Sequence, residues 1–491
     1  MARVIVIGAG HNGLSAAVRL ARAKHTVTVL EARSEPGGVA AGAEFHPGYR
    51  HQGVLHDAST FSEAVSKDLG LALTRRPLPH AVIATAETSR IVGEGAEVAD
   101  PAAHSAWRKR LAEIKKYAAS VLAEAPPRTD ADAPLLPLAK SAWQFRRLGN
   151  ATMMELLRIG PMAVDDWLAE FFDDPVLRAG LALEGLHGTW MGPRSPTSTA
   201  TLLLLESLRG ADVLGGPAAV VKALVDALKA AGGTLRCDAR VKRVTMAGRA
   251  ASGVELESGD VIAADHVLLG CDAKAGLLDL VDPLDLPPAL ERDIQDVRAR
   301  GLAAKVHLAL SGPLDLASRP GAHERVLVAG LPNDLERAFD QVKYRSFADR
   351  LPLDIRVPTV SDPSLAPSGH HVVSILVHAV PYVLDGGWTE DAKERLHRAV
   401  LGTLESVAPG VSGRVVGSEV LTPADLAARF SLPQGHLWHG ELAIDQLFVA
   451  RPFLGTAQYA TAIPGLWLAS SAAHPGGGFT GLSGWIAAGR L

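Results

Sequence analysis

Val4-Ile5-Val6-Ile7 runs directly into Gly8-Ala9-Gly10-His11-Asn12-Gly13. Four successive apolar residues suit a strand buried on both faces. The glycines that follow have the spacing G-x-G-x-x-G. Leu14, Ala17, Val18 and Ala21 then recur on one face of a helix, and Thr26-Val27-Thr28-Val29-Leu30 reads as a second strand ending at Glu31. The predicted unit is strand, glycine turn, helix, strand, within about thirty residues. Each part serves a dinucleotide. Gly8 permits a tight turn, Gly10 lets the backbone approach a pyrophosphate, and Gly13 lets the helix pack closely on the strand. The helix N-terminus offers unpaired N–H groups and a positive dipole end to a diphosphate. Glu31 stands where an acid accepts both hydroxyls of a ribose.

The residues beyond Glu31 distinguish the nucleotide. Glu31-Ala32-Arg33 followed by Gly37-Gly38 resembles the extension found in flavoproteins of the glutathione reductase type. That resemblance implies FAD. Gly37, Gly38 and Val39 would then face the flavin side of the dinucleotide. Arg33 either covers the adenine and ribose end or is a solvated cation at a strand end. No second G-x-G-x-x-G follows a strand pattern, so no dedicated NAD(P)H domain is expected.

Composition bounds the rest. The chain has 491 residues, 47% hydrophobic and 21% charged, as for a globular protein with a large core. With 49 basic and 53 acidic residues the net charge is −4, which argues against a nucleic-acid binder built on a basic face. Cys237 and Cys271 are the only cysteines, too few and too far apart for a disulfide framework, a CxxC zinc site or a CxxxxC redox pair. No apolar run approaches the roughly 18 residues of a membrane span. A strand pattern beginning at Arg3 leaves no room for a signal peptide. A soluble, cytoplasmic protein is expected, with peripheral membrane contact left open.

Around Pro217 a helical pattern (Val221, Leu224, Val225, Leu228) closes at Gly232-Gly233. Short strands follow at 234–237, 240–244, 253–257 and 261–264, then the buried run 267–270. In FAD folds such a meander returns the chain to the nucleotide domain and places Val241 by the adenine; plain core packing is the alternative. Residues 76–205 read as helix-rich, with a Pro/Ala/Asp stretch over 125–134 that suggests a loop or lid. Residues 276–430 mix strands such as 305–310 and 371–378 with a helix around 390–407. The expected fold is α/β. A Rossmann-like FAD domain is built from 1–75, 206–275 and 431–491, and a substrate domain from 76–205 and 276–430.

Near the C-terminus, Pro464–Ser471 resembles a last buried strand. The loop His474-Pro475-Gly476-Gly477-Gly478-Phe479-Thr480 comes next, then a helix with Leu482, Trp485 and Ile486 inward. Strand, glycine loop and helix again form an anion-binding geometry. Ser470, Gly477, Gly478, Phe479 and Thr480 are expected at the flavin, where N–H groups would stabilise negative charge on the reduced ring.

Five blocks carry a family resemblance: Gly8–Leu14, Ser361–Pro367, His439-Gly440-Glu441-Leu442, Asp445–Phe448 with Arg451-Pro452, and Ala473–Gly478. They resemble the FAD-dependent phytoene desaturases and carotenoid isomerases, and within them the group called pyridine nucleotide-disulphide oxidoreductase domain-containing protein 2. The chain departs from the family at Val39, commonly arginine, and at Ser470-Ser471, where a glycine is common. The resemblance implies hydride transfer to flavin N5 from a lipophilic, unsaturated small molecule in dehydrogenation, saturation or isomerisation. An oxygen-using amine or alcohol oxidase and a flavin-bound scaffold without turnover are the alternatives.

His439 and Glu441 are candidates to position or deprotonate substrate, or else a structural pair. His474 either acts beside the flavin or caps the glycine loop, and His11 orders the phosphate loop. Asp445-Gln446 read as turn residues. The other histidines lack metal-ligand spacing, so no metal is expected. Both cysteines fall in strands of the nucleotide domain, so FAD is expected to be non-covalent. Leu202–Leu205 and Trp190-Met191 either line an apolar pocket or belong to the core.

Overall fold

In the computed structural model, which describes every residue except 94, 97, 99 and 129–133, the opening strand Arg3–Ile7 lies at the centre of a five-stranded parallel sheet. Its neighbours are Thr26–Leu30, then Thr234–Arg236, on one side, and His266–Leu269, then Leu466–Leu468, on the other. Ile7 stands level with Leu30 and Leu269, and Leu269 with Leu468. Four strands from three distant parts of the chain therefore end along one edge. Helices His11–Arg22 and Gly216–Ala230 cover the sheet as the apolar spacing of each predicts. The meander forms a separate three-stranded antiparallel sheet from Val241–Ala247, Ala250–Leu256 and Val261–Ala263.

The short last helix, Leu482–Ala488, lies against His11–Arg22. A Cβ on Gly484 would stand 1.8 Å from the Asn12 carbonyl, so only glycine allows this approach. Trp485 was expected inward. It is instead half-exposed, with Arg19 4.2 Å above its ring and Asp68 accepting its indole N–H.

A second sheet has seven strands, in the order Val415–Leu421, Ala303–Leu310, His371–His378, Leu353–Arg356, Arg325–Val328, Ala81–Ala84, Ser89–Val92. The last two come from the region read as helical; at four residues each they are too short to show a period. The alternation along the central strands decides the site. Val306, Leu308, Ile355, Val373 and Ile375 face an apolar core against helix Glu390–Val407. Lys305, His307, Arg325, Asp354, Arg356, Ser374 and His378 take the opposite face, yet all are buried. Helices Pro175–Gly185 and Ser198–Leu208 and the segment 51–61 close over that polar face. Leu202 and Leu203 belong to the core between helices, and Trp190 packs under Arg300 and against Phe339. Among the described residues no helix is long and apolar enough to cross a membrane. Within the 125–134 stretch, residues 129–133 lie outside the described residues.

Arg451 fastens the C-terminal loops. It is 1% exposed and donates to the carbonyls of Trp438, Gly440, Glu441, Gln446 and Ser471. Gly476 makes room for it, since a Cβ there would fall 1.8 Å from Arg451 Nε. Substituting Arg451→Met removes every one of these donors. The expected result is a stability loss of about 3 kcal/mol or more, since each orphaned buried carbonyl costs ~1–3 kcal/mol. A lowered urea midpoint at unchanged slope checks it.

Candidate functional site

One crevice runs along the edge where the parallel strands end. Gly8, Gly10, His11, Asn12, Glu31, Ala32, Arg33, Gly37, Gly38, Val39 and Val241 all line it, joined by Asp272, Phe430 and Ser471. Gly10 caps helix His11–Arg22 without any side-chain acceptor, so the first-turn N–H groups stay open to the crevice. Nothing lies within 4 Å of where a Cβ on Gly10 would stand, whereas one on Gly13 would be 2.3 Å from the Gly8 carbonyl. Gly10 thus leaves space for a ligand, while Gly13 lets helix and strand touch. The Gly37 N–H donates to the Ala9 carbonyl at 2.9 Å, which lays the second glycine pair beside the first loop.

Glu31 holds this arrangement from beneath. One carboxylate oxygen accepts the Ala9 N–H at 2.8 Å and the other the Arg33 N–H at 3.0 Å. A carboxylate has about four acceptor positions, so two remain for a ribose. Arg33 donates to the Gly38 carbonyl and lies over the Phe430 ring.

The C-terminal loop meets the first loop here. Asn12 donates to the Ser471 hydroxyl at 3.0 Å, the Phe479 N–H donates to Thr60 at 2.8 Å, and the Phe479 ring lies 4.5 Å from His11. Ser471, not the expected Ser470, faces the crevice; Ser470 is buried and accepts the Ala472 N–H. Gly477 abuts Leu442, and Thr480 is buried, accepting the Leu482 N–H.

The predicted catalytic residues separate. His439 lines the crevice at φ 57°, and its Nδ1 is buried without a partner, as are His11 Nε2 and Asn12 Oδ1. Burial, reinforced by His436, pushes the His439 imidazole down to about 3, and burial with His439 does the same to His11. Both rings are neutral at pH 7. Glu441 does not join them. Its carboxylate takes a bidentate bond from Arg300 at 2.7 and 2.9 Å, with Arg298 3.5 Å away. Asp445 and Gln446 tie to the same Arg298, as turn residues do. His474 is 1% exposed and lines neither the crevice nor the cavity described next; its ring lies by Phe448 and the end of helix Pro101–Leu122.

A smaller cavity lies beside the crevice, and Leu437 lines both. Val54, Leu55, Leu205, Leu376, Leu437 and Trp438 supply its apolar wall, and Gly478 reaches it from the glycine loop. Its other wall is His56, Asp57, Glu184, His187, Arg209 and Asp354. The purely apolar pocket expected from the sequence is therefore half ionic, and only Leu205 of the leucine run lines it. Lys305 Nζ sits 2.9 Å from His56 Nδ1, and Asp354 lies 3.7 Å from His56 and 3.4 Å from His187. Burial and Lys305 push His56 down to about 4, so it is an unprotonated base at neutral pH. Burial also carries Lys305 well below its ordinary value. For Asp354 burial acts upward, but the bonds from His187 and His56, with Arg325 nearby, hold it well below the usual carboxylate range.

Sequence reasoning missed His56, Lys305 and Asp354. The available signal was a lysine and a histidine two apart inside Ala303–Leu310, an otherwise apolar strand. Behind this wall His51, His307 and Glu419 gather within 4.8 Å. The two rings stack with planes 7° apart and centroids at 4.0 Å, and His51 Nδ1 accepts the Gly53 N–H. A neutral His51 then carries its proton on Nε2, toward Glu419. His51 Nε2 lies 3.7 Å from Glu419, and both His307 nitrogens and Glu419 Oε2 are buried without a hydrogen-bond partner, so these three side chains offer ligand atoms that could hold a metal ion, a grouping that spacing along the sequence did not reveal.

A parallel sheet with two glycine loops meeting over one crevice, with orphaned buried polar atoms and free helix N–H groups facing it, defines a dinucleotide-binding oxidoreductase of the flavin type. The chain belongs to the family of flavin containing amine oxidoreductases, whose model matches residues 13–479. It is 30% identical to the rat pyridine nucleotide-disulfide oxidoreductase domain-containing protein 2, over 99% of this chain and 92% of that protein. It is 25% identical to a lycopene-forming phytoene desaturase of Paracoccus sp., over 98% and 95%. Its fold matches that of an oxidoreductase from Methanosarcina mazei with a TM-score of 0.64 at 15% identity, covering 99% and 98% of the two chains. The protein is an FAD-dependent oxidoreductase that holds FAD non-covalently. Cys237 and Cys271 are both free.

Gly10→Ala should leave the melting temperature of the apoprotein unchanged while weakening FAD binding about tenfold or more, ~1.4 kcal/mol. Gly13→Ala should lower the melting temperature itself, because the clash is with backbone. Flavin titration and calorimetry separate the two. Acid should also destabilise the fold. The unfolded chain protonates His11 and His439 near the ordinary 6.5, whereas the folded chain refuses those protons down to about 3. Their contribution is complete above pH 6.5 and is lost as pH falls toward 3. The thermal midpoint should fall over that interval, and His439→Gln should flatten the slope.

Proposed function

We propose that the protein dehydrogenates a lipophilic small molecule bearing a polar group near the reacting carbon, leaving an unsaturated product. The observation that supports this is the inner cavity, which shares Leu437 with the nucleotide crevice and has one apolar and one ionic wall. We assign residues 1–75, 206–275 and 431–491 to the nucleotide domain and 76–205 and 276–430 to the substrate domain, with the cavity between them and a cytoplasmic location for the whole.

Gly8–Gly13 and Glu31 would hold the diphosphate and ribose, and the loop through Gly478 the flavin end. Bound FAD supplies a two-electron acceptor for a hydride. The chain must then take the matching proton. His56 is suited to this: it lines the cavity, is neutral, and is oriented by Lys305 on one nitrogen and Asp354 beyond the other. The apolar wall of Val54, Leu55 and Leu376 excludes water and holds the hydrocarbon part over the acceptor. An oxygen-using amine or alcohol oxidase is the second reading, favoured by the ionised Asp57 and Asp354 beside the cavity.

Anaerobic bleaching of the flavin by a panel of carotenoids, retinoids, fatty acyl compounds and amines tests both readings. Bleaching by apolar compounds supports the first; bleaching by amines alone, with peroxide formed in air, supports the second. His56→Gln should retain the flavin spectrum and slow bleaching about 10²-fold or more. The wild-type rate should stay level from pH 8 to 5 and fall only below about pH 4, where His56 gains a proton.

A further inference from the structure

A second, outer cleft of about 820 Å³ lies on the far side of the Arg209–Glu184 ion pair from the inner cavity. Arg209 and Glu184 line both spaces, so that pair is the partition between them. The cleft shares no lining residue with the nucleotide crevice. Its size falls within the ~300–1,000 Å³ of small-molecule sites.

Its walls are strongly basic. Arg75, Arg76, Arg108, Lys115, Arg209 and Arg325 line it, against the carboxylates of Glu184 and Glu206 among the described residues. Those carboxylates are already committed: Glu184 to Arg325 and Arg209, Glu206 to Arg209. Arg76 is matched by Asp212 and Glu324. Three cations remain. Among the described residues no carboxylate lies within 4.0 Å of Arg75, Arg108 or Lys115.

Their placement is graded. Arg108 and Lys115 are exposed at the rim, seven residues apart on helix Pro101–Leu122 and hence on one side of it. Arg75 is half-buried and held by the carbonyls of Ala211 and Phe61 and the Ser66 hydroxyl, which fix its position without neutralising its charge. Arg209 and Arg325 form the buried floor. Trp107 and Leu181 add apolar surface. Cations crowded in a cleft focus a positive field, and arginine forks match carboxylate and phosphate oxygens. Glu63, Glu206 and Asp212 act on Arg75 and Lys115 from beyond contact distance, and Lys115 donates to the Arg209 carbonyl; three cations with no carboxylate in contact, gathered in one cleft, indicate where a negative group docks.

We infer that this outer cleft binds an amphiphile by an anionic head, a carboxylate or phosphate, at Arg75, Arg108 and Lys115, with its apolar part against Trp107 and Leu181. The cleft is separated from the inner cavity by the Arg209–Glu184 pair, so the inference goes beyond the proposed reading and does not depend on it.

Isothermal titration of the holoprotein with decanoate, decyl phosphate, decanol and decylamine, each below its micelle concentration, tests it without reference to turnover. The flavin crevice is filled, so phosphate cannot report from there. Decanoate or decyl phosphate should bind about tenfold or more tighter than decanol and decylamine. The tighter of the two identifies the head. The double substitution Arg108→Gln, Lys115→Gln alters only exposed side chains. It should weaken the preferred anion about tenfold while changing decanol less than about twofold. Added salt should weaken the anion selectively. Equal affinity for decanol and both anions, or anion binding untouched by the double substitution, would overturn the inference. Anion-selective binding with no flavin bleaching by any apolar compound would keep the anion site and reject the dehydrogenase reading instead.

Discussion

Charges taken out of water must be paired, and the inner face of the seven-stranded sheet depends on that constraint. Arg325, Arg356, Asp354, Lys305 and His307 lie on one face of three strands of this sheet and are almost inaccessible to solvent. An isolated ion there would cost several kcal/mol, so the arginines and Asp354 draw on partners from other parts of the chain, while burial keeps His307 neutral. Arg325 meets Glu184 of one helix, and Arg356 meets Asp57 of the loop after the second glycine pair. Asp354 meets both His56 and His187. The network therefore joins the two sheets and the helical layer, and a hydrophobic face would not have needed such specific pairing.

The same network determines the chemistry available. Low polarity keeps His56 free of a proton at neutral pH, while the surrounding arginines keep Asp57 ionised and the bonds from His187 and His56 do the same for Asp354. A base and fixed negative charge thus share a space a few residues from the glycine loop. On the nucleotide side Glu31, Arg33 and Asp272 line the crevice, but the loop Gly8–Gly13 itself carries no charged side chain. His11 and His439 are neutral and the helix end contributes N–H groups rather than cations. That division suits a cofactor bound by backbone and a substrate handled by side chains.

Much of this was legible in the sequence. Val4–Gly13, Glu31 and Gly37-Gly38 define one crevice because backbone geometry at glycines is a local property, readable from spacing alone. The helix at 390–407 and the strand at 371–378 were likewise marked by their own periodicity. Glu441 was a candidate because it lies in the block His439–Leu442 that carries the family resemblance. Its true partner, Arg300, is 141 residues away. Ser470 and Ser471 could not be distinguished, since adjacent residues at the end of a strand point oppositely and only the position of Asn12 selects one.

The sequence by itself determined that Gly8, Gly10, the start of the first helix and Glu31 line one crevice at the end of the first strand, since the turn, the helix start and the acid are set within one short stretch of backbone. Which face of the second sheet would be buried was decided only in the tertiary structure. Alternation shows that Lys305 and His307 share a side, but a polar side normally faces water. It is enclosed here because helices and loops from distant segments bring counter-charges to cover it, and no local pattern encodes the arrival of those partners.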